Sequence, residues 1–117
     1  MKKRALLVFA PLLVVAFLFT GCGVKTTHKS VSAAAVVGGK GWKPSTPIRV
    51  KEGDKVVIKV GNLTTETHGF SIDYFGIKQT VGAGKTIQVK FTPTVKGHYV
   101  VYCQLHPAHK KTELIVS

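Results

Sequence analysis

The sequence predicts an all-β fold, an antiparallel Greek-key β-sandwich, on three observations: apolar residues recur with a period of two, turn signals separate those runs at short intervals, and no helical repeat accompanies them. Ile48 and Val50 alternate with Arg49 and Lys51, and Val56, Ile58 and Val60 with Lys55, Val57 and Lys59. Further on, Ile87, Val89 and Phe91 alternate with Gln88 and Lys90, and Tyr99, Val101 and Cys103 with Val100 and Tyr102. Each run reads as a strand with one buried face. Gly38-Gly39, Lys43-Pro44, Glu52-Gly53-Asp54, Gly61-Asn62, Gly82-Ala83-Gly84, Pro93 and Gly97 supply the turns. Lys110 to Ser117 gives a last strand, for roughly seven in all.

Ahead of these strands, Lys2, Lys3 and Arg4 precede an apolar run, Ala5 to Thr20, interrupted by Pro11. A basic start followed by a hydrophobic stretch is the layout of a secretory signal peptide, here residues 1–21. The run is short for a spanning helix, which needs about 20 residues. Leu18-Phe19-Thr20-Gly21-Cys22 resembles the lipobox of bacterial lipoproteins, with Phe19 where that family usually has Leu. The resemblance implies cleavage before Cys22, lipidation of Cys22 and anchorage at the outer face of a bacterial membrane, periplasmic or at the cell surface. An uncut transmembrane anchor, or secretion with a free Cys22, are the alternatives. Residues 22–32, polar and basic after the cysteine, read as a lipidated tether, which leaves 33–117 as one domain.

The formal net charge is +12, with 17 basic and 5 acidic residues. The lysines are spread singly and no helix-turn-helix or zinc-finger spacing accompanies them, so nucleic acid is not the expected partner. A basic field instead suits anionic surfaces or an acidic partner protein. With Cys22 assigned to the anchor, Cys103 stands alone; an exported domain with one remaining thiol has no internal disulfide, and the thiol must be buried, reactive or metal-bound.

The segment Tyr102-Cys103-Gln104-Leu105-His106-Pro107-Ala108-His109 carries the chemistry. One thiol and two imidazoles spaced by three begin where a strand ends, and Pro107 keeps the stretch from continuing as sheet, so the three side chains can wrap one point. A soft thiolate with imidazole nitrogens suits copper, and zinc accepts the same atoms.

Gly97-x-Tyr99-x-x-x-Cys103-x-x-His106 resembles the ligand loop of cupredoxins, and Glu52-Gly53-Asp54-Lys55-Val56, Asn62 and Thr67-His68-Gly69-Phe70 resemble the first half of the same domain, over about Ala35 to Ser117. The resemblance implies one mononuclear copper, Cu(I)/Cu(II), held by His68, Cys103 and His106. Cupredoxins usually add a weak axial Met, but the chain's one Met is Met1. His109 stands where short-loop members carry that Met. Imidazole there makes a harder site with a lower reduction potential; a water or carbonyl, or Glu66, which shares strand parity with His68 and has a carboxylate counterpart in red-copper relatives, are the other candidates. His98 has the opposite parity to Cys103 and is expected on the other face, His28 in the tether is expected to be inert, and Tyr99, Phe91 and Trp42 are expected to pack the sandwich.

The implied function is one-electron transfer rather than catalysis, with His106 beside Pro107 as the electron port and an acidic cytochrome or oxidase domain as the partner. A copper chaperone or buffer delivering metal to an oxidase, or a red-copper protein binding a small ligand such as nitric oxide, are the rivals. A binuclear copper centre or a Cys-x-x-Cys redox motif needs a second cysteine beside Cys103, and the domain has none.

Overall fold

The computed structural model describes residues 23–117. The leader and Cys22 lie outside the described residues. The strands are β1 (Thr26–Val36), β2 (Gly39–Lys43), β3 (Ile48–Val50), β4 (Lys55–Asn62), β5 (His68–Ile72), β6 (Ile77–Val81), β7 (Thr86–Phe91), β8 (Gly97–Val101) and β9 (Thr112–Val116), with one short 3-10 turn, Asp73–Phe75. One sheet has the order β2-β1-β4-β7, and the facing layer is β3-β9-β8, which the β5-β6 hairpin extends. The extension is made by one bridge, in which Ser71 and Tyr102 exchange N–H···O bonds of 2.9 and 3.1 Å. The all-β sandwich expected from the period-two pattern is therefore present.

The core lies between the layers. Val31, Trp42, Val56, Ile58, Val60 and Val89 come from the first sheet; Val50, Phe70, Ile72, Val101, Leu114 and Val116 come from the second. In β4 the alternation read from sequence matches the burial: Val56, Ile58 and Val60 face in, Lys55 and Lys59 face water. The β-branched side chains that fill this face stiffen the strands they belong to.

Two features differ from expectation. Residues 26–32 are not a tether, because Thr26 to Ala33 pair in parallel with Lys55 to Asn62 of β4. The first half of β1 is polar because it is held by this backbone ladder and by its ends; Thr27 donates its hydroxyl to Asp54 at 2.8 Å, and burial of apolar side chains begins at Val31. His28 accordingly sits on a strand, exposed. The sheets also contain two parallel pairings, β1 with β4 and β3 with β9, beside the antiparallel ones. Side-chain alternation is the same in both arrangements, so the pattern does not distinguish them.

The sandwich has two distinct poles. At one, β1 and β4 begin and β9 ends, tied by Lys55 N–H to the Lys25 carbonyl and Glu52 N–H to the Ser117 carbonyl, both 2.9 Å. At the other, the β1–β2 hairpin tip at Gly38 and Gly39 shares a cavity with His68, His106 and His109. Phe70 is fully buried between the layers and edges onto Trp42 at 5.5 Å. Phe70→Ala is expected to cost about 3–5 kcal/mol in urea unfolding of the metal-free protein; a loss under about 1 kcal/mol would show that the ring is not a core contact.

Candidate metal centre

His68 opens β5, and Cys103 lies just beyond β8, one residue after the bridge to Ser71. That bridge aligns two strand ends from positions 35 residues apart in sequence. The Cys103 Sγ is 3.7 Å from His68 Nδ1 and 3.6 Å from His106 Nδ1. One ligand atom from each of these three residues lies within 4.8 Å of the others. Donors that surround one ion at roughly 2.0–2.3 Å stand about 3.6 Å apart when they spread in a plane around it. The donor set therefore fits a shared metal.

Burial grades the three. His68 is 1% exposed and Cys103 4% exposed, whereas the His106 side chain is 37% exposed and brings one ring edge to the surface. The turn that carries His106 is closed by the His109 N–H donating to the His106 carbonyl at 3.0 Å, across Pro107 and Ala108.

Three residues hold the donors in place. The Gly69 N–H donates to Cys103 Sγ at 3.1 Å, which fixes the position of the sulfur. Gln104, next to the cysteine, accepts from Ser71 Oγ at 2.7 Å and donates to the Gln79 carbonyl at 2.8 Å, which staples the loop across β5 and β6. Its amide occupies the space above Gly69; a Cβ there would fall 2.0 Å from Gln104 Oε1. Asn62, 1% exposed, donates to the carbonyls of Glu66 and Val81 and accepts from the Thr64 N–H and hydroxyl, fixing the turn that leads into His68.

His109 is buried but outside the three-donor cluster. Its ring lies 5.0 Å from that of His68 and 4.7 Å from Trp42. Its Nδ1 is 3.1 Å from the Lys110 carbonyl, which can only accept, so Nδ1 holds the proton and Nε2 keeps a lone pair. That Nε2 is buried and has no partner among the described residues, as is His68 Nε2. Glu66 is not in the cluster; its carboxylate bonds Lys40 at 2.8 Å and lies 3.7 Å from His106 Nε2, the ring nitrogen remote from the thiol. At that separation the carboxylate lies beyond hydrogen-bond distance of the ring.

His98 is exposed and 3.5 Å from Glu113 on the neighbouring strand, in the cross-strand place that its parity implied. Trp42 lies on the edge strand β2, with its side chain buried against His109. Gly69 and Gln104 were not legible as supports of the site, and Glu66, a candidate ligand from its parity with His68, is instead paired with Lys40. Only Gly69, a glycine directly after a candidate ligand, carried a hint, since glycine marks close backbone approach.

Burial pushes the His68 and His109 imidazolium pKa values down, with neighbouring histidine charge adding to the effect, while the Lys110 carbonyl opposes it at His109. Hydrogen bonding to Lys40, reinforced by its charge, lowers Glu66. A histidine whose folded pKa is depressed binds fewer protons folded than unfolded, so stability rises with pH across that window. The metal-free protein is thus expected to lose stability as pH falls below the ordinary histidine value of 6.5, and a pH-independent urea midpoint between 7 and about 5 would contradict it. Gly69→Ala is expected to fold but to displace the Gln104 amide, weakening metal affinity roughly 10–100-fold. Competition with a chelator measures it, and unchanged affinity would remove Gln104 from the support of the site.

A family model described as a cupredoxin-like domain matches residues 11–116. Among solved structures, the metal-binding domain of the Cu(I)-exporting P-type ATPase CopA from Streptococcus pneumoniae D39 superposes with a TM-score of 0.65 at 17% identity, over 80% of this chain and 97% of that one. Auracyanin A, a blue copper protein of Chloroflexus aurantiacus, gives 0.62 at 13% identity, over 79% and 99%. The copper nitrite reductase of Nitrosomonas europaea gives 0.64 at 19% identity over 80% of this chain, which spans 42% of the reductase chain. These likenesses show a shared fold, and with the family match over nearly the whole sequence, the chain belongs to the cupredoxin-like domain family.

Proposed function

We propose that this chain is a mononuclear copper-binding electron-transfer protein, carried at the extracytoplasmic face of a bacterial membrane by a lipid on Cys22, and that it is not an enzyme. The observation that carries the reading is a buried thiol flanked by two imidazole Nδ1 atoms at 3.6 and 3.7 Å, with one of the two rings reaching solvent. Copper bound there supplies reversible one-electron exchange.

The chain's own residues supply the rest. His68, Cys103 and His106 would hold the ion, and His109 would offer Nε2 as the fourth donor, since that atom is buried, has no partner among the described residues and bears the lone pair. The Gly69 N–H fixes the position of the sulfur, and Gln104 keeps the loop from opening. Because His68 and Gly69 are set by sheet pairing and Gln104 pins the loop to that sheet, little rearrangement accompanies a change of charge at the centre. His106 is the exposed edge through which an acidic cytochrome or oxidase domain exchanges an electron, drawn by the basic surface. The domain of a Cu(I)-exporting ATPase shares the fold over almost its full length, and metal delivery is therefore the second reading.

Loading the purified protein with Cu(II) is expected to give an intense thiolate-to-copper absorption that Cys103→Ser abolishes; retention of the colour in that variant would overturn the site. Rapid, repeatable reduction and reoxidation without metal loss supports the carrier, while transfer of the metal to a chelating acceptor on each reduction supports delivery. His109→Met is expected to raise the reduction potential, and an unchanged or lower potential would take His109 out of the coordination sphere.

A further inference from the structure

At the pole opposite the metal centre, a groove is lined by Lys25, Lys29, Arg49 and Lys51, together with Thr27, Val50, Asp54 and Ser117. None of the four cations makes an ion pair among the described residues, and residues 1–22 contain no acidic side chain to serve one. Asp54, the carboxylate side chain in the groove, already accepts the Thr27 hydroxyl. Four cations against that one side-chain carboxylate leave the groove with an excess of positive charge.

The same pole is where the chain arrives from its apolar leader. Since β1 starts at Thr26, only Gly23, Val24 and Lys25 separate Cys22 from the sheet. Three residues reach at most about 10 Å, so a lipid on Cys22 leaves the groove no room to stand clear of the headgroups. The β1 ladder then fixes which way the domain points, because Lys25 is bonded to Lys55 at the base and the far end of β1 turns at the hairpin beside His106.

We infer that the groove of Lys25, Lys29, Arg49 and Lys51 seats the domain on anionic phospholipid headgroups, so that the metal centre faces away from the bilayer. The orientation rests on the anchorage proposed above, while the lipid-binding groove itself does not. Strand β1 spans 11 residues, which places the hairpin tip about 35 Å from the base. A basic residue beside an anionic leaflet raises partitioning roughly fivefold.

The experiment uses the segment from Gly23 to Ser117, which holds every strand and the core of the described residues, so binding is measured without the anchor. It is expected to sediment with phosphatidylglycerol-containing vesicles at low salt and not with pure phosphatidylcholine. Reversing Lys25→Glu, Lys29→Glu, Arg49→Glu and Lys51→Glu together is expected to reduce that partitioning at least tenfold, while Lys59→Glu, Lys78→Glu, Lys85→Glu and Lys90→Glu together reduce it far less; circular dichroism and copper loading verify that both variants are folded. Absence of anionic-vesicle binding, an equal loss in both variants, or displacement by millimolar inorganic phosphate as readily as by vesicles overturns the inference. Fatty-acid labelling of Cys22 in the full chain tests the anchor separately: an unlabelled chain whose segment still binds vesicles retains the groove and removes the anchor.

Discussion

The backbone bridge between Ser71 and Tyr102 joins two parts of the sandwich that have no other ladder in common, and the metal centre exists because of it. Without that pair of bonds, β5 would belong to a separate hairpin and His68 would have no fixed distance from Cys103. With it, Cys103, one residue past Tyr102, meets His68, three residues before Ser71, in the interior, and the Gly69 amide is left facing the sulfur. The site is thus a property of strand pairing first and of the ligand loop second. Desolvation strengthens every electrostatic contact there, since the thiol and the His68 ring are shielded from water.

Sheet architecture was legible because its burial follows the pleat. Val56, Ile58, Val60 and Val89 are buried where alternation put them, and His98 stands on the opposite face from Cys103. The beginning of β1 was not, since Thr26 to Ser30 gain their order from peptide hydrogen bonds to β4, which every sequence can make. Parallel pairing escaped for the same reason.

At the site, His68, Cys103 and His106 were readable from residue type and spacing, and the structure brings them together. His109 was readable as a neighbour; its lone pair and buried Nε2 are visible only once Lys110 and Trp42 are in place. Gln104, Lys40 and the pairing of Glu66 with Lys40 were not, because an amide or ion pair acquires its role from what lies across the fold, and no periodic pattern encodes that.

The loop from Cys103 to His109 carries all the candidate donors except His68, and it hangs between β8 and β9 without contributing a rung to either sheet. Its length and composition are therefore independent variables of the scaffold. A shorter, longer or differently furnished loop grafted between the same two strands would retain the first histidine and the sandwich while changing the electronic character of whatever the donors enclose. One β-sandwich framework can in this way seat different donor sets, with the interchangeable part confined to a single loop.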